Sequence, residues 1–433
     1  MRNSPEYTPF ARTLRPYQAE ASERLRNAMV DIGRGQLVLA TGLGKTVILA
    51  ETVASLLRES LIPENRVLVL AHTCPLVDQL LEAFWFQLPK WVSTHRFADH
   101  EIPAYWQGIT FATIQSIVRN LDILPHFGLV VVDEAHHIGA STFQQTVDAL
   151  QPRMLAGVTA TPWRGDGYDI DRLLGPPLVR IGISEGLQAG YLSEVDYRLL
   201  ADNIDWQFVQ RASAHNYSLS QLNRKLILPT RDDQAARIVA EMFRSQDRHA
   251  AIAYCPSAVH ATAFAATLRQ YGFSAESILN TTPARERIKL MSRFRSGGLQ
   301  FVTAVDLFNE GVDVPDVDMI VFMRVTHSRR IFVQQLGRGL RISPDKDRVL
   351  VLDFVTDIRR IAEVVELDKA VRQSDVERLG LGRSLIEFSD HSAGSFMSEW
   401  MLDQASLLLR EGDPQLEMPR YEYPEAPPPG GIE

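Results

Sequence analysis

Short apolar runs recur along this chain at a spacing that few folds accept. In the first half they are QLVLA (36–40), RVLVLA (66–71), ITFA (109–112), LVVV (129–132) and LAGVT (155–159). In the second they are AAIAY (250–254), QFVTA (300–304), MIVFM (319–323) and VLVLD (349–353). Runs that are apolar throughout, rather than alternating, fit strands covered on both faces, as in a parallel sheet. Segments such as TVILAETVASLLRES (46–60) supply helices between them. The pattern predicts an α/β fold with two tandem parallel-sheet domains. At 433 residues the chain also exceeds one ordinary core. We place the division near 200, because 193–233 lacks the strand–helix rhythm and Pro229 interrupts it. The expected domains are 1–200 and 201–360, followed by a short, mainly helical extension over 361–433. That extension contains an amphipathic stretch, SFMSEWMLDQASLLLR (395–410). It ends in a Pro-rich segment with six acids against one arginine, read as a disordered tail.

Composition removes several classes of function. No apolar run approaches the ~18 residues that cross a bilayer. The N-terminal stretch MRNSPEYTPFARTLRPYQ has no apolar signal core. Cys74 and Cys255 are far apart and suggest no disulfide framework, so the expected compartment is the reducing cytoplasm. A net charge of −8 argues against binding nucleic acid through overall basicity, but leaves a local basic groove open. The cations are 39 arginines against 6 lysines, which singles out each lysine.

LATGLGKTVILAE (39–51) follows a strand run and opens a helical one. Gly42 and Gly44 let the backbone approach phosphate oxygens, and the helix N-terminus then faces the anion. Lys45 can reach the terminal phosphates and Thr46 can offer its hydroxyl to Mg²⁺. Leu39 stands where the full pattern has its first glycine. Lys45 is the only lysine before Lys90, and an ammonium is not chemically interchangeable with a guanidinium. The bland alternative is a glycine turn between strand and helix.

LVVVDEAHHIG (129–139) puts Asp133 and Glu134 at the carboxyl end of a buried strand, where ligands of open α/β sheets sit. A protein metal site, a general-base pair and a magnesium–nucleotide site all fit these residues on their own. With the phosphate loop present, Asp133 is expected to hold Mg²⁺ and Glu134 to polarise the attacking water. Zinc is disfavoured: H-E-x-x-H is absent, adjacent histidines point apart, and no C-x-x-C pair exists. His136 is expected to couple the nucleotide site to its neighbours and His137 to be structural.

VTAVDLFNEGVDVPDVDMIVF (302–322) and QQLGRGLRIS (334–343) extend the set. Together with LRPYQ (14–18), ATGLGKT (40–46), LAHTCPLVDQL (70–80), FATIQS (111–116), DEAH (133–136) and TATP (159–162), they occur in the order found in one superfamily. Over about residues 12–356 the chain resembles the superfamily 2 helicases and translocases. Within them it is similar to the DEAH-box branch that holds the repair helicase of TFIIH and the motor subunits of restriction enzymes. The resemblance implies two tandem RecA-like domains closing on ATP and Mg²⁺. Gln18 would read the adenine edge, with Arg15 or Tyr17 nearby. Thr41, Gly42, Gly44, Lys45 and Thr46 would serve the phosphates and metal, beside Asp133, Glu134 and His136. Thr159 and Thr161 would link hydrolysis to domain movement. Gly311 and Asp313 would approach the nucleotide from the second domain, and Gln334, Arg338 and Arg341 would face the γ-phosphate. Guanidinium groups suit that position because phosphoryl transfer spreads negative charge over the γ-oxygens.

The same resemblance places Thr73, Thr113, Gln115 and Thr303 against nucleic acid. Small hydroxyl and amide groups suit phosphate contact without sequence readout. A helix cap or turn explains any single such threonine equally well. Trp163 and the two cysteines are read as core residues. The expectation is an ATP-dependent helicase or translocase acting on nucleic acid, DNA being favoured, in repair, restriction or phage defence. A nuclease or another defence or repair protein is its expected partner, and a membrane is not. The alternative is an ATP-gated nucleic-acid-binding subunit of a larger complex that unwinds little by itself.

Overall fold

The computed structural model describes residues 13–99, 101–137, 141–160, 170–200, 215–218, 221, 232–305, 317–323, 339–340, 342, 346, 348–354, 364, 379–387 and 415–417. These fall into two compact units: 13–193 together with 339–340 and 342 form the first, and the other described residues from Glu194 onward form the second.

The first unit opens with helix α1 (Pro16–Asp31) and strand β1 (Arg34–Leu39). Helix α2 (Lys45–Arg58), strand β2 (Arg66–Ala71), helix α3 (Cys74–Trp85) and strand β3 (Thr94–Phe97) follow. Next come β4 (Gly108–Thr113), α4 (Ile114–Arg119), β5 (Leu129–Asp133), α5 (Ser141–Leu150) and β6 (Met154–Thr159). The short α6 (Asp171–Leu174), β7 (Val179–Ile181) and α7 (Ile183–Gln188) complete it. The seven strands pair in parallel in the order β3-β4-β2-β5-β6-β1-β7. The five strands expected from apolar runs form the interior of this sheet. Val67–Leu70 and Leu129–Val132 are fully buried, as strands covered on both faces must be. β3 and β7 are the edges, and neither has an all-apolar sequence.

The second unit holds β8 (Glu194–Leu200), β9 (Asn216–Ser218), α8 (Asp232–Ser245), β10 (Ala251–Tyr254) and α9 (Ala258–Gln270). After them come β11 (Ala275–Ser277), α10 (Ala284–Arg295), β12 (Phe301–Ala304), β13 (Met319–Phe322), β14 (Arg348–Phe354), β15 (Leu379–Glu387) and β16 (Gln415–Glu417). Its sheet is again seven-stranded and parallel, in the order β11-β12-β10-β13-β14-β8-β15. β9 and β16 form a separate antiparallel pair.

Two expectations need correction. The division near 200 falls at the end of β8, which belongs to the second sheet by its pairing with β14. β8 escaped the apolar-run criterion because its charges alternate with its apolar residues. Val195 and Tyr197 are buried, whereas Asp196 and Arg198 pair with each other at 2.9 Å. Tyr197 also donates a buried 2.6 Å hydrogen bond to Asp353 of β14. The extension past 360 is not simply helical either, since β15 adds an edge to the second sheet through β8. Its glycines and serine hid it from a search for apolar runs. The amphipathic stretch 395–410 and the Pro-rich end lie outside the described residues. Among the described residues, no helix is long and apolar enough to cross a membrane.

Candidate nucleotide site and nucleic-acid face

All strands of the first sheet run the same way, so their carboxyl ends share one edge. β1 delivers the phosphate loop there. Gly42 (φ 96°) and Gly44 (φ 82°) both take left-handed backbone, and Gly44 is the N-cap of α2. At Gly44 an added Cβ would lie 2.5 Å from the Gln18 amide nitrogen, so Gln18 would have to shift. Helix α1 supports the loop at this point. The Tyr17 hydroxyl donates to the Leu43 carbonyl at 2.8 Å, and Gln18 Nε2 donates to the same oxygen at 3.0 Å. Gln18 Oε1 accepts from the Arg15 backbone at 2.9 Å, closing a capping box. Gln18 was expected at the edge of a base; its amide here is buried and holds the loop. Thr41, Lys45 and Thr46 are half-buried along the same turn.

β5 delivers the acids to the same edge. β6 alone separates it from β1, with Asp133 opposite Val158 and Thr159 opposite Val38. Directly after Asp133 the chain turns through Glu134 at φ 52°, a left-handed conformation costing a non-glycine residue ~1–2 kcal/mol. The turn brings Glu134 within 3.5 Å of the Lys45 ammonium and 3.3 Å of His136 Nδ1. His136 is buried, and its Nδ1 also lies 2.9 Å from the Thr159 hydroxyl. Lys45, Glu134, His136 and Thr159 thus form a continuous polar chain across three strand ends. Burial, reinforced by the neighbouring Glu134 carboxylate, pushes the Asp133 carboxyl up to about 7 even with Lys45 nearby. Its Oδ1 is buried without a hydrogen-bond partner among the described residues. A buried carboxylate oxygen of this kind is a donor that a hard divalent cation takes, and Thr46, the second residue of α2, starts from the same sheet edge with a hydroxyl of the same class.

One residue at this edge carried no sequence signal. Tyr191 stacks on Tyr17, with ring centroids 4.1 Å apart and planes inclined by 27°. The Arg15 guanidinium donates to the Tyr191 carbonyl at 3.1 Å. Tyr191 follows α7 in no recognisable motif, and only the packing connects it to the phosphate loop.

The four expected nucleic-acid contacts part company. β2 and β4 are neighbours, with Ala71 opposite Thr113, so Thr73, Thr113 and Gln115 come together. They line a depression of about 360 Å³ with His72, Arg119 and Asn120. Within it, the Thr113 hydroxyl caps α4, accepting from the Ser116 backbone at 3.2 Å. Thr73 is the N-cap residue of α3 but makes no side-chain capping bond among the described residues, which leaves its hydroxyl to the depression. Thr303 is corrected: it is fully buried on β12 and donates to the Ala261 carbonyl at 2.7 Å. A hydroxyl satisfied inside a sheet is in no position to touch a backbone phosphate. Thr161, Gly311, Asp313, Gln334, Arg338 and Arg341 lie outside the described residues.

Comparison with known proteins matches two families along the chain. Residues 12–164 match the family of the type III restriction enzyme res subunit, and 234–343 match the helicase conserved C-terminal domain. A 51.5 kDa protein of a Lactococcus phage is 29% identical over 314 residues, 72% of this chain and 63% of that protein. The DNA 3'-5' translocase XPB2 of Sulfurisphaera tokodaii is 27% identical over 372 residues, 78% of this chain and 80% of the translocase. The fold matches the DNA-bound type ISP restriction-modification enzyme LlaBIII with a TM-score of 0.62, over 93% of this chain and 33% of that one, at 18% identity. The chain spans about half to two-thirds of the length of the curated relatives that head the matches. The two family matches follow one another along the chain in this order, the restriction-subunit family first and the helicase C-terminal domain second.

Proposed function

We propose that the chain is an ATP-driven motor of the DEAH-box branch that moves on nucleic acid, with DNA as its track. One observation carries the chemistry. The phosphate loop and the acid pair converge at one sheet edge, with the Lys45 ammonium 3.5 Å from Glu134. Beside them sits a buried Asp133 oxygen with no hydrogen-bond partner among the described residues. In this reading Gly42, Gly44 and the N-terminus of α2 bind the phosphates through backbone N–H groups. Lys45 neutralises the terminal phosphate. Asp133 and Thr46 would hold Mg²⁺, which when bound supplies positive charge to the phosphate oxygens. Glu134 orients the attacking water and takes its proton. His136 and Thr159 fix Glu134 from behind. Gly311, Asp313, Gln334, Arg338 and Arg341 keep the roles their motifs give them.

DNA is favoured as the track by the DNA-acting relatives, one a translocase and one a DNA-bound restriction enzyme. We carry repair, restriction or phage defence as the setting, with a nuclease or another defence or repair protein as partner. Thr73 and Gln115 are the contacts we retain, through the depression at the ends of β2 and β4. The test is ATP turnover with and without single- and double-stranded DNA and RNA. We expect DNA to stimulate turnover, and a rate indifferent to every nucleic acid overturns the proposal. Strand displacement separates an unwinding motor from a nucleic-acid-gated subunit.

A further inference from the structure

Helix α10 carries five cations, Arg285, Arg287, Lys289, Arg293 and Arg295, against the single acid Glu286. It does so in a chain whose net charge is −8. Leu290, Met291 and Phe294 bury one side of the helix. Arg287 is used structurally and donates to the carbonyls of Leu279, Asn280 and Thr282 in the preceding loop. The opposite side is exposed. Arg285, Lys289 and Arg293 stand there four residues apart, so they form a row. Ser292 and Ser296 share that exposed side, and Ile288 at its border is 70% exposed.

The helix dipole favours Arg293, in the last turn of α10, but gives no reason for Arg285 and Lys289. Like charges four apart destabilise a helix by a few tenths of a kcal/mol per pair, ~0.2–0.5. Arg285 sits in the first turn, where the helix dipole disfavours a cation. Other arginines of the chain find carboxylates: Arg26 pairs with Glu59, Arg58 with Glu51, Arg66 with Glu64, and Arg96 with Asp78, Asp99 and Glu101. Arg285, Lys289 and Arg293 have no carboxylate partner among the described residues. A row of like charges with no carboxylate partner among the described residues is complementary to an anion from outside.

We propose that the exposed side of α10 binds the sugar–phosphate backbone of duplex DNA, as a contact separate from the depression at the ends of β2 and β4. The inference rests on the motor reading above. Spacing favours a duplex. Four residues of helix rise ~6 Å, close to the through-space separation of neighbouring phosphates along one strand of a duplex. Both lattices are rigid on this scale, so three cations can meet three phosphates without ordering a flexible strand. Ser292 adds a hydroxyl, while the Ser296 hydroxyl already donates to the Arg293 carbonyl at 3.1 Å; contacts made to phosphates alone carry no sequence readout, so binding should be independent of sequence.

The experiment is a salt titration of binding to a labelled mixed-sequence duplex, using the full chain. Wild type is compared with Arg285→Gln/Lys289→Gln/Arg293→Gln and with a control, Arg26→Gln/Arg58→Gln/Arg66→Gln, whose arginines are already paired. Losing three phosphate contacts should flatten the slope of log affinity against log salt by about 2 to 3. Between about 50 and about 200 mM salt the variant should therefore lose about fortyfold less affinity than wild type does. The control should move the slope by much less. Lys289→Gln alone, should the triple variant not fold, is expected to shift the slope by about 0.9. DNA-free ATP turnover and circular dichroism should match wild type in every variant. An unchanged slope in the helix variant, or an equal change in the control, overturns the proposal. A change seen on single strands but not on duplex also overturns it. So does an unchanged slope accompanied by new protease cleavage within 411–433, which would assign the row to the chain's own acidic end. Wild type that turns over ATP faster with DNA but shows no helix-dependent slope sinks this inference alone, whereas wild type unaffected by DNA sinks the motor reading with it.

Discussion

Gly44→Ala tests whether the phosphate loop is built on helix α1. The substitution meets two separate penalties. Its backbone must stay left-handed at φ 82°, which costs a side-chain-bearing residue ~1–2 kcal/mol. Its Cβ must also displace the Gln18 amide nitrogen, 2.5 Å away. Gln18 has little freedom to retreat, since it is 8% exposed and tied to the Leu43 carbonyl and the Arg15 backbone. Giving up these hydrogen bonds costs ~1 kcal/mol each. The expected total is ~2–4 kcal/mol. Because the chain has two units, a single global transition is not a safe readout. Amide hydrogen exchange in α2 reads the opening of the first unit directly. Gln18→Ala separates the two penalties: it removes the clash but leaves the backbone strain. The double variant should therefore cost less than the sum of the singles by ~1–2 kcal/mol. Additivity within ~0.5 kcal/mol would refute the contact as the origin of the penalty. Wild-type exchange in Gly44→Ala would refute the loop conformation itself.

Glu134→Gln should keep nucleotide binding, measured by titration, while turnover falls by about 10²–10⁴, the usual worth of a general base; undiminished turnover sinks the assignment. Tyr191→Ala should raise the KM for ATP by up to about tenfold with kcat little changed, because an aromatic pair contributes ~0.5–1.5 kcal/mol. Tyr191→Phe should restore KM, and a fall in kcat alone would count against a role at the loop. Burial first, and then the Asp99 carboxylate 3.0 Å from its sulfur, push the Cys74 thiol up to about 11. At pH ~8 its thiolate fraction, and so its alkylation rate, should be about a hundredfold below that of an ordinary cysteine. Asp99→Asn should speed alkylation by lowering that pKa, and an unchanged rate would assign the protection to burial alone.

The strands legible in the sequence were those buried on both faces, because that environment demands unbroken apolar runs. β8 is equally central, lying between β14 and β15. Yet it accommodates Asp196 and Arg198 by pairing them, and Tyr197 by giving its hydroxyl to Asp353. Internal pairing of charge makes a buried strand read as a polar linker, and the domain division was therefore set seven residues late. β15 was hidden for a different reason. Its sequence, LGLGRSLIE, lacks the apolar density of its neighbours, and its register shifts between Leu381 and Ile386.

The phosphate loop and acid pair were legible because their chemistry dictates residue type: glycine where the backbone turns left-handed, a carboxylate where a cation must be held. The threonines were not, since one hydroxyl can serve a cap, a sheet or a phosphate at no change in sequence. Thr73, Thr113 and Thr303 illustrate the three outcomes, and only hydrogen-bond partners distinguish them. Thr113 is bound to Ser116, Thr303 to Ala261, and Thr73 to neither kind of partner. Position relative to the strand end decides the matter. Thr303 precedes the last residue of β12 and points its hydroxyl into the packed unit, whereas Thr73 lies two residues past the end of β2. Glu134 obeys the same rule. It is the first residue beyond β5, and its left-handed turn is the step that brings its carboxylate toward Lys45 rather than along the strand direction. A side chain at or beyond the last residue of a strand, such as Asp133 or Thr73, can act on a ligand, and one earlier in the strand, such as Thr303, is already committed to the sheet. The contrast predicts that Thr73→Val weakens nucleic-acid binding without loss of stability. Thr303→Val should instead destabilise the second unit by ~0.5–1.5 kcal/mol through loss of its hydrogen bond to the Ala261 carbonyl and leave binding intact.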